Sequence, residues 1–485
     1  MMQFVIRLHP EIIIKSRQVR KRFTFLLEGN IRRIFKRNHL SVEVRASWDK
    51  FTLIVNKKSL DKVDEVIELL QRIPGIDQII QVEKSTFTDL DDICQQVKQA
   101  WQPLLVNKSF VVRVRRRGKH EFSSLDIARY VGGYLNQNCD TKGVELKHPD
   151  LAIEFEVNDN TLIQSHHRIK CLGGMPLPTQ ESVLSLISGG YDSGVATYQM
   201  IRRGARTHFC FFNLGGREHE IGVKQVSYYL WKRYSESHRV KFISVDFEPV
   251  VADILENVAN SQMGVILKRM MVRAASQVAK KMHISAIVTG ESLGQVSSQT
   301  LVNLSVIDKA ADTLVLRPLI CMDKLEIIDQ AKHIGTEEFA KVMPEYCGVI
   351  SKKPTTKADP AQIANEESKL DFGIIEQVVA EAKIQDILSI AEEAAQQTEY
   401  VTEVDVLPDN AIVLDIRTAE EQEQAPLALA NTKVQHIPFF KLASQFAALP
   451  QDHQYFLYCE RGVMSQLQAM LLNEQGYKQV QVYRP

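Results

Sequence analysis

Two short stretches hold the residues best placed for chemistry. The first, VLSLISGGYDSGVATYQM at residues 183–200, sets Ser188, Gly189, Gly190, Asp192 and Ser193 between an apolar run and a helix-like stretch. With VLSLI read as a buried strand and DSGVATYQMIRRG as a helix, the loop sits at a strand's C-terminal end and a helix's N-terminus. There, free backbone N–H groups and the helix dipole attract phosphate. Glycines let the backbone approach a ligand, and the hydroxyls add donors. No Gly-Lys-Ser/Thr follows, so the loop is not a Walker A loop. Farther on, SAIVTGESLGQVSSQT carries a second strand into Gly290 and runs on to Gln299, which suits a nucleotide at the same sheet edge, and LRPLICMDKLEII supplies the cations Arg317 and Lys324.

The second stretch is YFLYCERGVMSQLQAMLL, in which a strand delivers Cys459, a short loop with Arg461 and Gly462 follows, and a helix begins near Ser465. A ring of backbone N–H groups beside a helix N-terminus favours a thiolate or a persulfide anion. The scale matters, because an unperturbed thiol near pKa 8.5 is only about 3% thiolate at neutral pH. Upstream, VLDIR contributes Asp415 and Arg417. Cys347 falls in VMPEYCGVISKKPTTKADP, a polar segment with three prolines that reads as a loop. The seven cysteines show no CxxC pairs and no His at zinc spacing, so neither a disulfide framework nor a protein metal cage is expected.

These stretches need several domains to carry them. A chain of 485 residues, 45% hydrophobic and 24% charged, is a globular protein too long for one core. Arg7, His9 and Glu11 interrupt any signal-like core at the start, and no run of about 18 uncharged apolar residues occurs, so no membrane partner and a cytoplasmic location are expected. Net charge is zero but unevenly placed: residues 1–60 hold 14 Lys/Arg against 4 Asp/Glu, whereas residues 361–430 hold 3 against 16. One end is therefore expected to meet a polyanion. Two cationic clusters stand out, Arg113, Arg115, Arg116, Arg117 and Lys119 in one, and a basic stretch that includes Arg20, Lys21 and Arg22 in the other. Such groups bind RNA phosphates through counterion release. Residues 1–170 mix strands and helices as an α+β region, and CLGGMPLPTQE reads as a linker. Residues 182–320 alternate strands and helices as a parallel sheet requires, residues 361–397 read as helical, and a last α/β unit starts near Val404.

SGGYDS resembles the pyrophosphate-binding loop of the PP-loop ATPases, which cleave ATP between the α and β phosphates and leave an adenylylated substrate. The resemblance puts Asp192 near the pyrophosphate and its Mg²⁺. The region VVRVRRRGKHEFSSLDIARYVGGYL resembles the THUMP region of the ThiI family of tRNA 4-thiouridine synthetases, and YFLYCERGVMSQLQAMLL resembles the active-site loop of rhodanese domains. The three motif regions occur in that family's order, and the resemblance covers nearly the whole chain. The resemblance implies a ferredoxin-like domain at residues 1–60, a THUMP domain at 61–168, a parallel-sheet PP-loop domain at 175–398 and a rhodanese-like α/β domain at 404–485. It implies ATP contacts from Leu186, Ile187, Lys268, Gly290 and Gln299 beside the loop residues, with Lys324 as a catalytic cation. It implies a Cys459 persulfide loaded by a cysteine desulfurase, and Cys347 as the thiol that closes a disulfide with Cys459, opened each turnover by a cellular reductant. The acceptor would be the uridine at position 8 of tRNA, and the same persulfide could feed a thiamine-pathway sulfur-carrier protein. Direct attack by the persulfide and prior release of sulfide by Cys347 stay open. So do two alternatives without sulfur transfer: an RNA-binding protein with a degenerate nucleotide domain, and a small-molecule ligase.

Overall fold

The computed structural model describes residues 2–47, 50–118, 121–214, 216–343, 353–390, 402–408, 411–417, 419–429, 432–459 and 463–485. The chain forms two units, residues 1–176 and 177–485.

The first unit is built on one eight-stranded sheet. Its strands lie in the order Val42–Ala46, Lys50–Val55, Gln3–Leu8, Ile76–Thr86, Thr161–Lys170, Leu151–Asn158, Ser109–Arg117 and Gly143–Val144. Period-2 alternation assigns the faces. Phe4, Ile6 and Leu8 are buried against the helix Arg17–Arg37, whose Phe23, Leu27, Ile31 and Ile34 recur at helical spacing, while Val5 and Arg7 face the other way. A second core gathers Ile93, Val97 and Trp101 of the helix Leu90–Leu105, Ile127 and Val131 of the helix Ser124–Asn138, and Phe110 and Val112 of the strand Ser109–Arg117. The first core runs past residue 60, where a domain boundary was expected: Val66, Leu70, Ile76 and Ile79 belong to it. The reason is that Ile76–Thr86 pairs with Gln3–Leu8 on one side and Thr161–Lys170 on the other, so one sheet underlies both cores.

In the second unit a six-stranded sheet runs Leu314–Leu316, Ala286–Val288, Ser182–Leu186, Arg206–Asn213, Lys241–Asp246, Lys383–Asp386. Its first five strands are parallel, as the strand–helix alternation predicts, and helices such as Met263–Lys281 cover it with a nearly continuous apolar surface. The expected all-helical stretch after residue 361 holds the helices Pro360–Glu367 and Phe372–Ala380, but then turns into the strand Lys383–Asp386, antiparallel to Lys241–Asp246. That strand satisfies the backbone groups of an otherwise open edge. The helix Pro360–Glu367 is pinned by a buried bidentate pair, Arg269 Nε to Glu367 Oε1 at 2.6 Å and Nη2 to Oε2 at 2.8 Å.

A third, five-stranded parallel sheet follows, with Ile412–Asp415 and Tyr455–Tyr458 at its buried centre. It meets the six-stranded sheet's helices. Gln468 of the helix Val463–Glu474 donates through Nε2 to Gln225 Oε1 at 3.2 Å in the helix Gly216–Leu230, and the Phe439 ring lies 4.7 Å from that of Phe339 in the helix Glu337–Val342. Among the described residues no helix is long and apolar enough to cross a membrane.

His208 lies buried on the strand Arg206–Asn213, where its Nδ1 accepts the Lys241 N–H at 3.0 Å. Burial, with Arg206 and Lys241 nearby, pushes the imidazole down to about 4. The neutral ring therefore stabilises the fold fully above pH 6.5, its ordinary value, and that contribution drains away as pH falls towards 4. His208→Gln keeps an acceptor for Lys241 and does not titrate. Chemical denaturation at pH 7 and pH 5 should show the variant losing on the order of 1–2 kcal/mol less than the parent between those conditions; equal losses would exclude His208 as the source.

Candidate active site

The strand Ser182–Leu186 lies between two parallel neighbours, Arg206–Asn213 and Ala286–Val288, and the chain leaves it in one direction to return on the other side. Loops leaving such a strand diverge and open a crevice at the carboxyl edge of the sheet. Ile187 extends the ladder by one bond, N–H to Cys210 carbonyl at 2.9 Å, and is buried beside the half-buried Leu186. The chain then turns through Gly189 at φ +85° and enters the helix Tyr191–Arg202 from Gly190, which is extended and offers no side-chain cap. The first helical N–H groups are thus left for a ligand. Ser193 braces the loop from within: its Oγ accepts from the Ser188 N–H at 3.2 Å and donates to the Gly190 carbonyl at 3.2 Å. Gly290, two residues beyond the neighbouring strand Ala286–Val288, runs so close to this helix that a β-carbon would stand 2.7 Å from the Asp192 carbonyl carbon and 2.8 Å from the Ser193 nitrogen.

Asp192 is gripped from both sides. Lys324 Nζ lies 2.8 Å from Oδ1, and Gln295 Nε2 donates to Oδ2 at 2.9 Å. Lys324 opens the helix Lys324–Ile334, which is anchored by an Asp323–Glu326 capping box, and its ammonium also stands 5.5 Å over the Tyr191 ring. Arg317, read from sequence as a companion cation, is instead committed to Glu291 at 2.8 Å and Asp308 at 2.7 Å, with only a tenth of its side chain exposed. Lys268 is half-buried on the helix Met263–Lys281. Gln299 is buried with its Oε1 unpaired among the described residues, as is Oε1 of Gln295. Among the described residues no group of three His, Cys, Asp or Glu side chains could hold a metal ion.

Sequence reasoning missed three residues here. Gln295 is one. His219 bonds through Nε2 to the Ser188 carbonyl at 3.2 Å while its ring stands edge-on to Phe211. Burial lowers the pKa of this imidazole. Met343 lies against Gly189 and Gly222, where a β-carbon on either glycine would crowd its methyl group. Each lies well outside the loop in sequence, and the polar turn that carries Gln295 was the one local signal.

Cys459 follows directly on the strand Tyr455–Tyr458. The Ser465 N–H, in the first turn of the helix Val463–Glu474, donates to its Sγ at 3.3 Å, and the Ser465 hydroxyl lies 3.3 Å from the same sulfur. Asp415 and Arg417 form a buried bidentate pair, Nη2 to Oδ2 at 2.7 Å and Nε to Oδ1 at 2.9 Å, and the guanidinium sits 5.0 Å over the Tyr458 ring. That pair supports the strand end that presents Cys459. Cys347 and Lys119 lie outside the described residues.

In the first unit Arg113, Arg115 and Arg117 share one face of their strand and line a groove of about 520 Å³ with Arg7, Lys84 and Arg168. Glu154 and Glu156 offset part of that charge by pairing with Arg113, Arg168 and Arg117. Arg116 alternates to the other face and reaches the Gly118 carbonyl at 3.4 Å. Arg20, Lys21 and Arg22 ride on the helix Arg17–Arg37, on the opposite side of the sheet, so the two clusters do not make one surface.

Comparison with known proteins agrees with this layout. The family described as "Thiamine biosynthesis protein (ThiI)" matches residues 178–372, the ThiI ferredoxin-like domain 3–79, the THUMP domain 87–164 and the rhodanese-like domain 401–484. The tRNA sulfurtransferase of Shewanella halifaxensis is 54% identical over 484 residues and that of Aeromonas salmonicida 55% over 487, each pair covered over its full length. A solved complex of a 4-thiouridine synthetase with RNA and bound ATP superposes with a TM-score of 0.69 at 25% identity, covering 80% of this chain and all of that one. A Pyrococcus horikoshii protein, 20% identical with a TM-score of 0.51 over 69% of this chain and 100% of its own, shares the fold. With ferredoxin-like, THUMP, PP-loop and rhodanese folds in one order and full-length relatives above half identity, the chain belongs to the tRNA sulfurtransferase family.

Proposed function

We propose that the chain converts a uridine of tRNA, at position 8, to 4-thiouridine by adenylylating its carbonyl oxygen and replacing it with sulfur carried on Cys459. The observation that carries this reading is that one folded unit presents two anion-seeking helix N-termini, one after Gly190 and one at Ser465 beside Cys459. The helix behind Cys459 meets, through Gln468, Gln225 of the helix Gly216–Leu230, whose His219 touches the Ser188 carbonyl of the loop. Uridine O4 attacks the α-phosphorus of ATP and pyrophosphate leaves, so a poor leaving group becomes AMP. The uncapped N–H groups of residues 191–193 and the Lys324 ammonium would take up charge on the departing pyrophosphate. Leu186, Ile187, Ser188, Gly189, Gly190, Ser193, Lys268, Gly290 and Gln299 are assigned to ATP; the unpaired Gln299 Oε1 fits a donor of the nucleotide. A magnesium ion entering with ATP would be held at Asp192 and would neutralise phosphate charge.

The terminal sulfur of a Cys459 persulfide attacks C4 and AMP leaves. The Cys347 thiolate then attacks the Cys459 sulfur, leaving the transferred sulfur on the base and the two cysteines as a disulfide. Prior release of sulfide by Cys347 ends in the same disulfide, which a cellular reductant returns to two thiols. Cys347 lies four residues beyond Met343, and Met343 touches Gly189. A fully extended run of four residues spans at most about 14 Å, which supports a role for this cysteine near the loop. A cysteine desulfurase is the proposed sulfur source and a thiamine-pathway carrier protein a second sulfur acceptor. The arginine-lined groove is the proposed tRNA contact in the first unit.

Asp192→Asn should lower thiolation by roughly 100-fold or more while tRNA affinity stays within about two-fold. Cys459→Ser should abolish it. Mass spectrometry of tRNA from cells carrying each variant reads both, and normal 4-thiouridine in the Cys459→Ser strain would overturn the reading. Replacing Arg115 and Arg117 together by alanine should reduce the slope of log affinity on log salt by roughly 1.5. The Arg20, Lys21 and Arg22 triple alanine variant should change it less, because those side chains lie across the sheet from the groove; the reverse order would relocate the RNA contact.

A further inference from the structure

The turn over residues 292–299 forms one wall of the crevice, between the strand Ala286–Val288 and the helix Leu301–Asp308. Its course is held by its own bonds: Leu293 N–H to the Ile320 carbonyl at 3.1 Å, Gly294 N–H to the Gln299 carbonyl at 2.8 Å, and Ser292 Oγ to the Met322 carbonyl at 2.6 Å. From this fixed turn Gln295 reaches Asp192 Oδ2, while Lys324 holds Oδ1. An ion-paired carboxylate has no proton to donate. The amide nitrogen of Gln295 must therefore be the end facing Asp192, and the amide oxygen must face away from it. That oxygen is buried without a hydrogen-bond partner among the described residues, and so is the Oε1 of Gln299, four residues on. Buried acceptors left without donors are rare, because each forfeits its hydration, and a bound donor would restore what is lost.

We infer that Gln295 has a double role in the adenylylation step: its amide nitrogen fixes the plane of the Asp192 carboxylate beside Lys324, and its amide oxygen accepts a hydrogen bond from a hydroxyl or amino donor of the bound nucleotide. One donor at Oδ1 would leave the carboxylate free to rotate about its broad terminal torsion. The second, at Oδ2, removes that freedom before the ligand arrives, as preorganisation requires. Gln295 is thus a positioning residue towards Asp192 and a recognition residue towards the nucleotide. The inference rests on the reading of residues 188–193 as the nucleotide cradle.

The test compares full-length Gln295→Met, Gln295→Glu and Asp192→Asn with the parent. ATP binding is titrated by calorimetry, and sulfur transfer to tRNA is followed in single turnovers across pH. Gln295→Met, similar in length but unable to donate or accept strongly, should weaken ATP binding by roughly 10-fold and slow the single turnover by a further factor of about 10, with thermal midpoint and tRNA affinity unchanged. Gln295→Glu should be slower still at neutral pH, since it sets an acceptor against Asp192. Its rate relative to the parent should recover by roughly 10-fold as the introduced carboxyl protonates and regains a donor, a pH response that a packing role would not produce. Parental ATP affinity and rate in Gln295→Met, a pH-independent deficit in Gln295→Glu, or loss of both thermal midpoint and tRNA binding in the two variants would each overturn the inference. If Asp192→Asn loses its rate while Gln295→Met keeps it, only the role of Gln295 falls; if Asp192→Asn also keeps its rate, the cradle reading falls with it.

Discussion

The approach of Gly290 to the start of the helix Tyr191–Arg202 is the constraint on which the rest of this crevice depends. Any β-carbon at that position would occupy the space of the Asp192 peptide group. Because it is absent, the strands on either side of the switch point can deliver their loops to one helix N-terminus. The N–H groups after Gly190, the Asp192 carboxylate and the turn bearing Gln295 then converge without any of them leaving its own secondary structure. A site built from element ends is held by the sheet and needs little ordering when a ligand binds.

Cys459 is held by the same physics on a second sheet. A strand end places Cys459 where the first turn of the next helix can donate to its sulfur, and the Ser465 N–H does so. Backbone donors at a helix N-terminus suit an anion in the first place, and in the second one of them is given to the Cys459 sulfur. The buried Asp415–Arg417 pair is the supporting framework: with both side chains only 4% exposed, each charge is matched, and the guanidinium lies over Tyr458 at the end of the strand that leads into Cys459.

Contacts between these two folds fall on helices that border the loop at residues 188–193. The helix Gly216–Leu230 carries His219, which touches the Ser188 carbonyl, and Gln225, which meets Gln468. The helix Glu337–Val342 carries Phe339 against Phe439 and leads into Met343 at Gly189. The interface is partly polar and incompletely paired, since Gln225 Nε2 and Gln468 Oε1 are buried without partners among the described residues. Buried amide groups in that condition weaken an interface relative to an apolar one of the same area.

The amino-acid sequence by itself determined the pieces whose physics is local. A run of apolar residues ending in Ser-Gly-Gly-Tyr-Asp-Ser can be read as strand, turn and helix start because each of those properties depends on neighbours a few residues away. The same holds for Cys459 before its helix and for the alternation that turns Arg113, Arg115 and Arg117 to one side. Only the tertiary structure decided which distant groups meet there. Lys324 and Gln295 reach Asp192 from 132 and 103 residues away, Arg317 is taken up by Glu291 and Asp308, the two basic clusters fall on opposite faces of one sheet, and a strand interrupts the expected helices near residue 383. Each of those outcomes is set by sheet order and helix packing, which bring together side chains whose separation along the chain carries no record of their distance in space.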